Sequence, residues 1–200
     1  MNTLIQNCIN NKFSKTPIWL MRQAGRYLPE FRELRSQNKN FLELCFNSKL
    51  TTEITLQPLK RFNLDAAIIF SDILVIPHAL KQTIEFREIG GPCCTNLDIN
   101  KLLNTENKDF LTTLDPIYKA IKQTKKLIKK SKSLIGFVGA PWTLIIYLYN
   151  LKEKKNLSNK IIISNKKKVK TVLKKLEEVL KLHIMQQKKA GVEVVQIFDS

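Results

Sequence analysis

Long apolar runs are absent from this 200-residue chain, and no stretch approaches the ~18 residues of a membrane helix. The longest candidate, residues 65–80, carries Asp65 and Asp72, so no membrane span is predicted. The N-terminal MNTLIQNCINNK has neither a basic start nor a long apolar block, which argues against a secretory signal. Cysteine is sparse. Cys8, Cys45, Cys93 and Cys94 show no Cys-x-x-Cys spacing and no paired histidine, so a metal centre is not indicated. Reduced thiols in a cytoplasmic protein are the simpler reading. Glycine and proline number 6 and 7 and form no linker or tract, so no domain boundary is visible, and no internal repeat either. Arginine is scarce too, with 6 residues, none beyond Arg87.

What is present is an ordinary core and an excess of lysine. Apolar residues make up 44% of the chain, enough to argue against disorder as the dominant state. The formal charge is +17, split as +3 over residues 1–100 and +14 over residues 101–200. Such an excess normally points to nucleic acid or a membrane surface. The basic half, however, has lysine without the forked guanidiniums that read phosphates and guanine edges. The 22 Ile and 16 Asn share A/T-rich codons with lysine, so base composition accounts for the excess as a solvated surface. A nucleic-acid partner is therefore not the expectation.

Along the chain, residues 28–62 read as helix with breaks, including a kink or break at Pro58. Residues 65–70 form a short apolar run, the pattern of a buried parallel strand, ending in Ser71-Asp72. A weaker strand is predicted over 83–86, before a Gly90-Gly91-Pro92 turn, and a helix over 115–130. A third strand over 134–138 runs into Gly139-Ala140-Pro141-Trp142, and a Lys/Asn-rich connector follows at 152–164. Residues 166–190 are the clearest helix. Val169, Val172, Leu173, Leu176, Val179, Leu180, His183 and Ile184 recur every three or four residues, and Gly191 is placed to end it. A fourth buried strand is expected over 192–198, running into Asp199-Ser200. Strands alternating with helices predict a parallel α/β architecture, whose working residues lie past the C-terminal ends of strands.

Residues 17–35 read PIWLMRQAGRYLPEFRELR. Arg22 and Arg26 would share a face if helical; in a loop, Gly25 would let the backbone approach a ligand closely. Either way two guanidiniums suit a carboxylate or phosphate. On composition alone, a surface pair neutralised by Glu30 or Glu33 is the plainer alternative. His78 reads as a surface or packing residue, His183 as helix packing and Trp142 as packing at the strand end, and no nucleophile set surrounds Ser71.

That stretch closely resembles the uroporphyrinogen decarboxylase family. The resemblance extends through FSDILVIP at 70–77, GFVGAPWTL at 136–144 and GVEVVQIFDS at 191–200, in the family's order and with similar spacing. It implies an α/β fold of the TIM (β/α)8 barrel type, with about the first four strands present, so that residues 1–200 are the N-terminal part of a single domain. It also implies a cofactor-independent carboxy-lyase that converts the four acetate side chains of uroporphyrinogen III to methyl groups, giving coproporphyrinogen III. The enzyme would be a cytoplasmic homodimer with no resident metal. Carried over by the resemblance, the binding stretch is Arg22, Gln23, Ala24, Gly25 and Arg26. Asp72 would bind the pyrrole N–H groups, Tyr147 would reach the substrate, and Ser200 would contact one of its side chains. Asp72 and Arg22 are the catalytic candidates, with Arg22 or an ordered water as proton donor.

Two departures accompany the resemblance. Lys81 stands where the family usually has glycine. A complete barrel takes ~250 residues, so the family's C-terminal half, with the histidine that lies over the substrate, is missing from this sequence. An unpaired sheet edge and an exposed apolar face are then expected. The alternatives are a corrinoid or thiol methyltransferase relative of the same superfamily and a non-catalytic basic remnant that binds nucleic acid.

Overall fold

Asparagine and proline set the starts of three of the helices that precede the first strand. In this computed structural model, which describes residues 4–10, 16–38, 40–87, 91–151 and 162–199, α1 spans Leu4–Ile9 and α2 spans Pro29–Gln37 with proline at its first turn. Asn40 caps α3 (Phe41–Phe46), its Oδ1 accepting from the Leu42 and Glu43 N–H groups at 3.0 and 3.3 Å. Asn47 closes α3 and caps α4 (Ser48–Arg61), accepting from Lys49 and Leu50 at 3.2 and 3.1 Å. The expected break at Pro58 does not occur. Pro58 is buried inside α4 and its carbonyl accepts from the Phe62 N–H at 2.8 Å. Proline removes one i→i−4 bond, a loss tolerated here because only the helix's last residues follow.

The parallel sheet has the order β1-β4-β5. β1 is Ala66–Ile68, buried throughout, and β4 is Ser133–Gly139; Ala66 faces Ser133 and Ile68 faces Ile135 in parallel register. β5 is Val194–Phe198. The Glu193 N–H donates to Leu134 O at 2.9 Å and the Ala140 N–H to Phe198 O at 2.7 Å, so β5 runs parallel to β4. Two expectations need correction. β5 is not a buried strand: Val194 and Ile197 are 38% and 54% exposed, because β5 ends the sheet order with β4 as its neighbour among the described residues. The strand near 83–86 does not join the parallel sheet either. It is β2 (Thr83–Arg87), paired antiparallel with β3 (Gly91–Asn96), Ile84 opposite Cys94. The predicted turn began at Gly90, which is outside the described residues, as are most of the Lys/Asn-rich connector and Ser200.

The remaining helices are α5 (Val75–Ala79), α6 (Ile99–Asn104), α7 (Asn107–Leu127), α8 (Pro141–Leu148) and α9 (Lys166–Ala190). α7 starts eight residues earlier than the expected Asp115. Pro116 lies inside it, and Phe110, Leu114, Ile117 and Ile121 bury one continuous stripe that carries the helix through. α9 matches its expected bounds, with Val169, Val172, Leu176, Val179 and His183 buried. Trp142 is 41% exposed at the start of α8, not packed at the strand end as expected.

Two helices end in the same left-handed turn. After α9, Gly191 (φ +120°) donates to Lys188 O and Val192 donates to Gln187 O. After α5, Lys81 (φ +62°) donates to His78 O at 2.9 Å and Gln82 donates to Pro77 O at 3.0 Å. This paired bonding is the Schellman arrangement, which favours glycine at its left-handed position. The departure at Lys81 therefore falls where the backbone itself selects for glycine.

The described residues pack as two compact units. One comprises Met1–Asp72, Asp115–Phe137 and Ile184–Gln196; the other comprises Ile73–Leu114, Val138–His183 and Ile197–Ser200. In the first, α4 is tied to α7 by Thr52, whose hydroxyl lies 3.3 Å from Ala120 O and 3.2 Å from Gln123 Oε1. In the second, Asn150 accepts from the Cys94 N–H at 3.2 Å, holding β3.

Candidate active site

The segment before α2 runs beside the outer edge of β1. The Ile18 N–H donates to Asp65 Oδ2 at 2.9 Å, and the Asp65 N–H donates back to Ile18 O at 2.8 Å. Five residues on, Gln23 is buried, its Nε2 donating to Ala66 O at 2.7 Å and its Oε1 accepting from the Ile68 N–H at 3.1 Å. Residues 21–28 are loop, so of the two conformations open to Arg22 and Arg26 the loop is the one formed. Both arginines are exposed, and among the described residues neither guanidinium is in an ion pair. Glu30 does not neutralise them: its carboxylate takes a two-point bond from Arg61, at 2.7 and 2.8 Å. That bond is the foremost cause holding the Glu30 carboxyl down at about 2.

Gly25 has room to spare. Among the described residues a Cβ there would meet only the Tyr27 ring, at 3.6 and 3.7 Å, an ordinary contact, and its φ is not in the left-handed region. The chain's own packing does not demand glycine at this position.

At the other end of β1, the Phe70 N–H donates to the Thr55 hydroxyl at 2.9 Å, fixing the strand's exit on α4. Phe70 meets Phe31 and Phe41 edge-on, with ring centroids 5.7 Å apart in each pair. Asp72 follows, partly buried, four residues beyond the last residue of β1. Its charge reaches the buried Cys45 thiol. Burial first and Asp72 second push that thiol well above its ordinary pKa, while Arg35 pulls the other way. Arg35 itself lies 5.7 Å over the Phe41 ring. It is a cation near Asp72 that the sequence reading passed over. The available signal was its place one helical turn after the buried Phe31. Beside Asp72, the Ser71 hydroxyl is buried and makes no hydrogen bond among the described residues.

Arg22, Gln23, Ala24, Gly25, Arg26 and Asp72 thus all belong to the first unit, along one strand. Tyr147 belongs to the second, partly buried on α8. There Thr143 of α8 donates to Asp199 Oδ1 at 2.9 Å, so the end of β5 is fastened to the helix that carries Tyr147. Ser200 lies outside the described residues. A surface cleft of about 420 Å³ sits elsewhere, where Leu59, Phe62, Leu127 and Lys132 flank the segments leading into β1 and β4; its Arg61 is the one held by Glu30. Among the described residues no group of three or more His, Cys, Asp or Glu could hold a metal ion, and no helix is long and apolar enough to cross a membrane.

Comparison with known proteins follows the same lines. The family described as uroporphyrinogen decarboxylase matches residues 1–200. The chain is 44% identical over 200 residues to uroporphyrinogen decarboxylase of Rickettsia bellii, covering 99% of this chain and 59% of that protein. It is 41% identical over 203 residues to the protein of the same name from Aliarcobacter butzleri, covering 98% and 58%. The chain therefore spans a little under three fifths of the length of these curated relatives. Among solved structures, a methyltransferase from Methanosarcina mazei superposes with a TM-score of 0.73 at 18% identity, over 98% of this chain and 59% of that one. At that identity the likeness is one of fold, and it fits a partial (β/α)8 barrel.

Proposed function

Because the chain belongs to the uroporphyrinogen decarboxylase family, we propose that it supplies the substrate-gripping portion of an enzyme that converts uroporphyrinogen III to coproporphyrinogen III. Each of the four steps takes a ring acetate and one proton to a ring methyl and CO₂. The C–C bond to the carboxyl breaks and its electron pair enters the protonated and hence cationic pyrrole, leaving an exocyclic methylene; a second proton adds to that carbon to make the methyl group, and the ring proton leaves as aromaticity returns, for a net uptake of one proton. The ring itself is the electron sink, so the chemistry calls for no organic cofactor.

The observation that carries this reading is the arrangement along β1. Among the described residues, two exposed arginines outside any ion pair flank a glycine that packing does not require, and the strand they lie beside exits at Asp72. A substrate with eight carboxylates needs fixed cationic forks for orientation, which Arg22 and Arg26 supply. The Asp72 carboxylate accepts pyrrole N–H bonds and stabilises the positive charge that develops on protonation. Arg35, close enough to influence Cys45 together with Asp72, adds a cation for a ring carboxylate. Tyr147 and Ser200 contact the substrate's periphery. The protein acts in the cytoplasm as a homodimer, and its lysine-rich second half is solvated surface rather than a nucleic-acid site.

The deciding experiment is anaerobic turnover of uroporphyrinogen III by the purified protein, followed as coproporphyrinogen, with the Asp72→Asn variant beside it. Turnover that falls at least a hundredfold in the variant supports the reading. A variant as fast as the parent overturns the role of Asp72.

A further inference from the structure

Gln23 sits between two solvent-facing stretches yet is only 2% exposed. Burying a long carboxamide is costly unless its ends are hydrogen-bonded, and both ends of Gln23 are. Its partners follow the alternation of a strand. Towards β4, β1 uses odd-numbered residues: Asp65 O accepts from the Ser133 N–H at 3.2 Å, and the Ile69 N–H donates to Ile135 O at 2.9 Å. The even-numbered residues face the opposite edge, and Gln23 takes both, Ala66 O at 2.7 Å and the Ile68 N–H at 3.1 Å. One side chain thereby makes the two bonds that a neighbouring strand would make. The backbone beyond it is tied down as well: the Tyr27 hydroxyl donates to Gln23 O, Leu28 N–H donates to Gly25 O at 3.0 Å, and Arg32 Nη1 donates to Arg26 O at 3.0 Å.

We propose that Gln23 is a positioning residue rather than a substrate contact: by standing in for a strand on the outer edge of β1, its carboxamide sets where the Arg22–Arg26 loop lies relative to the strand that exits at Asp72. Glutamine suits the task because it holds a donor and an acceptor in one planar group long enough to bridge residues i and i+2; ionised glutamate lacks the donor. The functional half of this inference rests on the decarboxylase reading; the geometric half does not.

The test therefore has two arms, using Gln23→Ala in the full chain. The first is limited trypsin cleavage under native conditions, read as the rate of cutting after Arg26 relative to cutting after Lys181 on α9. The ratio cancels global destabilisation. It is expected to rise about tenfold in the variant, and an unchanged ratio overturns the proposal. The second is turnover of uroporphyrinogen III. KM is expected to rise at least five times more than kcat falls, as for a loop that grips rather than reacts. A raised cleavage ratio with unchanged KM overturns the link to the substrate. No turnover by the parent protein sinks the decarboxylase reading and the functional half with it, while the trypsin ratio still decides the geometry.

Discussion

Gln187 fills the space that a side chain on Gly136 would need. A Cβ at Gly136 would lie 2.2 Å from Gln187 Oε1, and that carboxamide is engaged at both ends, accepting from the Phe137 N–H at 3.1 Å and donating to Phe137 O at 3.0 Å. Gly136→Ala must displace the carboxamide and both bonds. The expected cost is about 1–3 kcal/mol, read as a lower urea midpoint at unchanged m-value. A midpoint equal to the parent's would mean that Gln187 relocates without loss.

The two left-handed helix ends give opposite expectations. Lys81 holds φ +62° at a cost of roughly 1–2 kcal/mol for a residue with a Cβ. Lys81→Gly should therefore stabilise the chain, by about 0.5–1 kcal/mol once the added freedom of the unfolded glycine is counted. Gly191→Ala should destabilise it, since φ is +120° and the new Cβ would meet the Lys125 side chain at 3.2 Å. Paired chemical-denaturation curves decide both signs.

Acid should weaken the fold through His183. Burial pushes its pKa from the ordinary 6.5 down to about 3. Between those values the unfolded chain takes up a proton that the folded chain refuses, so stability is whole above about pH 6.5 and is lost as pH falls towards 3. His183→Gln should flatten the slope of unfolding free energy against pH in that window. A slope identical to the parent's would assign the acid sensitivity to other groups.

The arginine loop should tolerate charge without shape poorly. Arg26→Lys keeps the cation and discards the planar fork, so uroporphyrinogen III should bind about tenfold more weakly, a loss of ~1.4 kcal/mol. Arg32→Lys, whose guanidinium bonds the Arg26 backbone, should cost less. Equal losses would argue against direct carboxylate contact by Arg26.

What the sequence made visible was local. α9 could be bounded from its repeat of apolar residues and from Gly191, and β1 from a short buried run. Arg22, Arg26 and Asp72 stood out because they sit inside contiguous blocks. The misses depended on partners distant in sequence. GPCCTN has no clean alternation, and β3 exists because β2 pairs with it. The two bonds of Gln23 reach 43 and 45 residues ahead, which no spacing rule reveals. At Pro58 no break occurs, because proline's local penalty was outweighed by the burial of α4 around it.

Asn47 is the single residue between α3 and α4, closing one and capping the next, and α4 then presents Thr55 to Phe70. A single added residue at that corner would spin α4 by about 100° about its axis, carrying the Thr55 hydroxyl away from the strand exit it pins. Chain length is therefore frozen at this joint: insertions here should be purged where insertions in the surface connectors are tolerated, even though Asn47 is exposed and touches nothing that reacts.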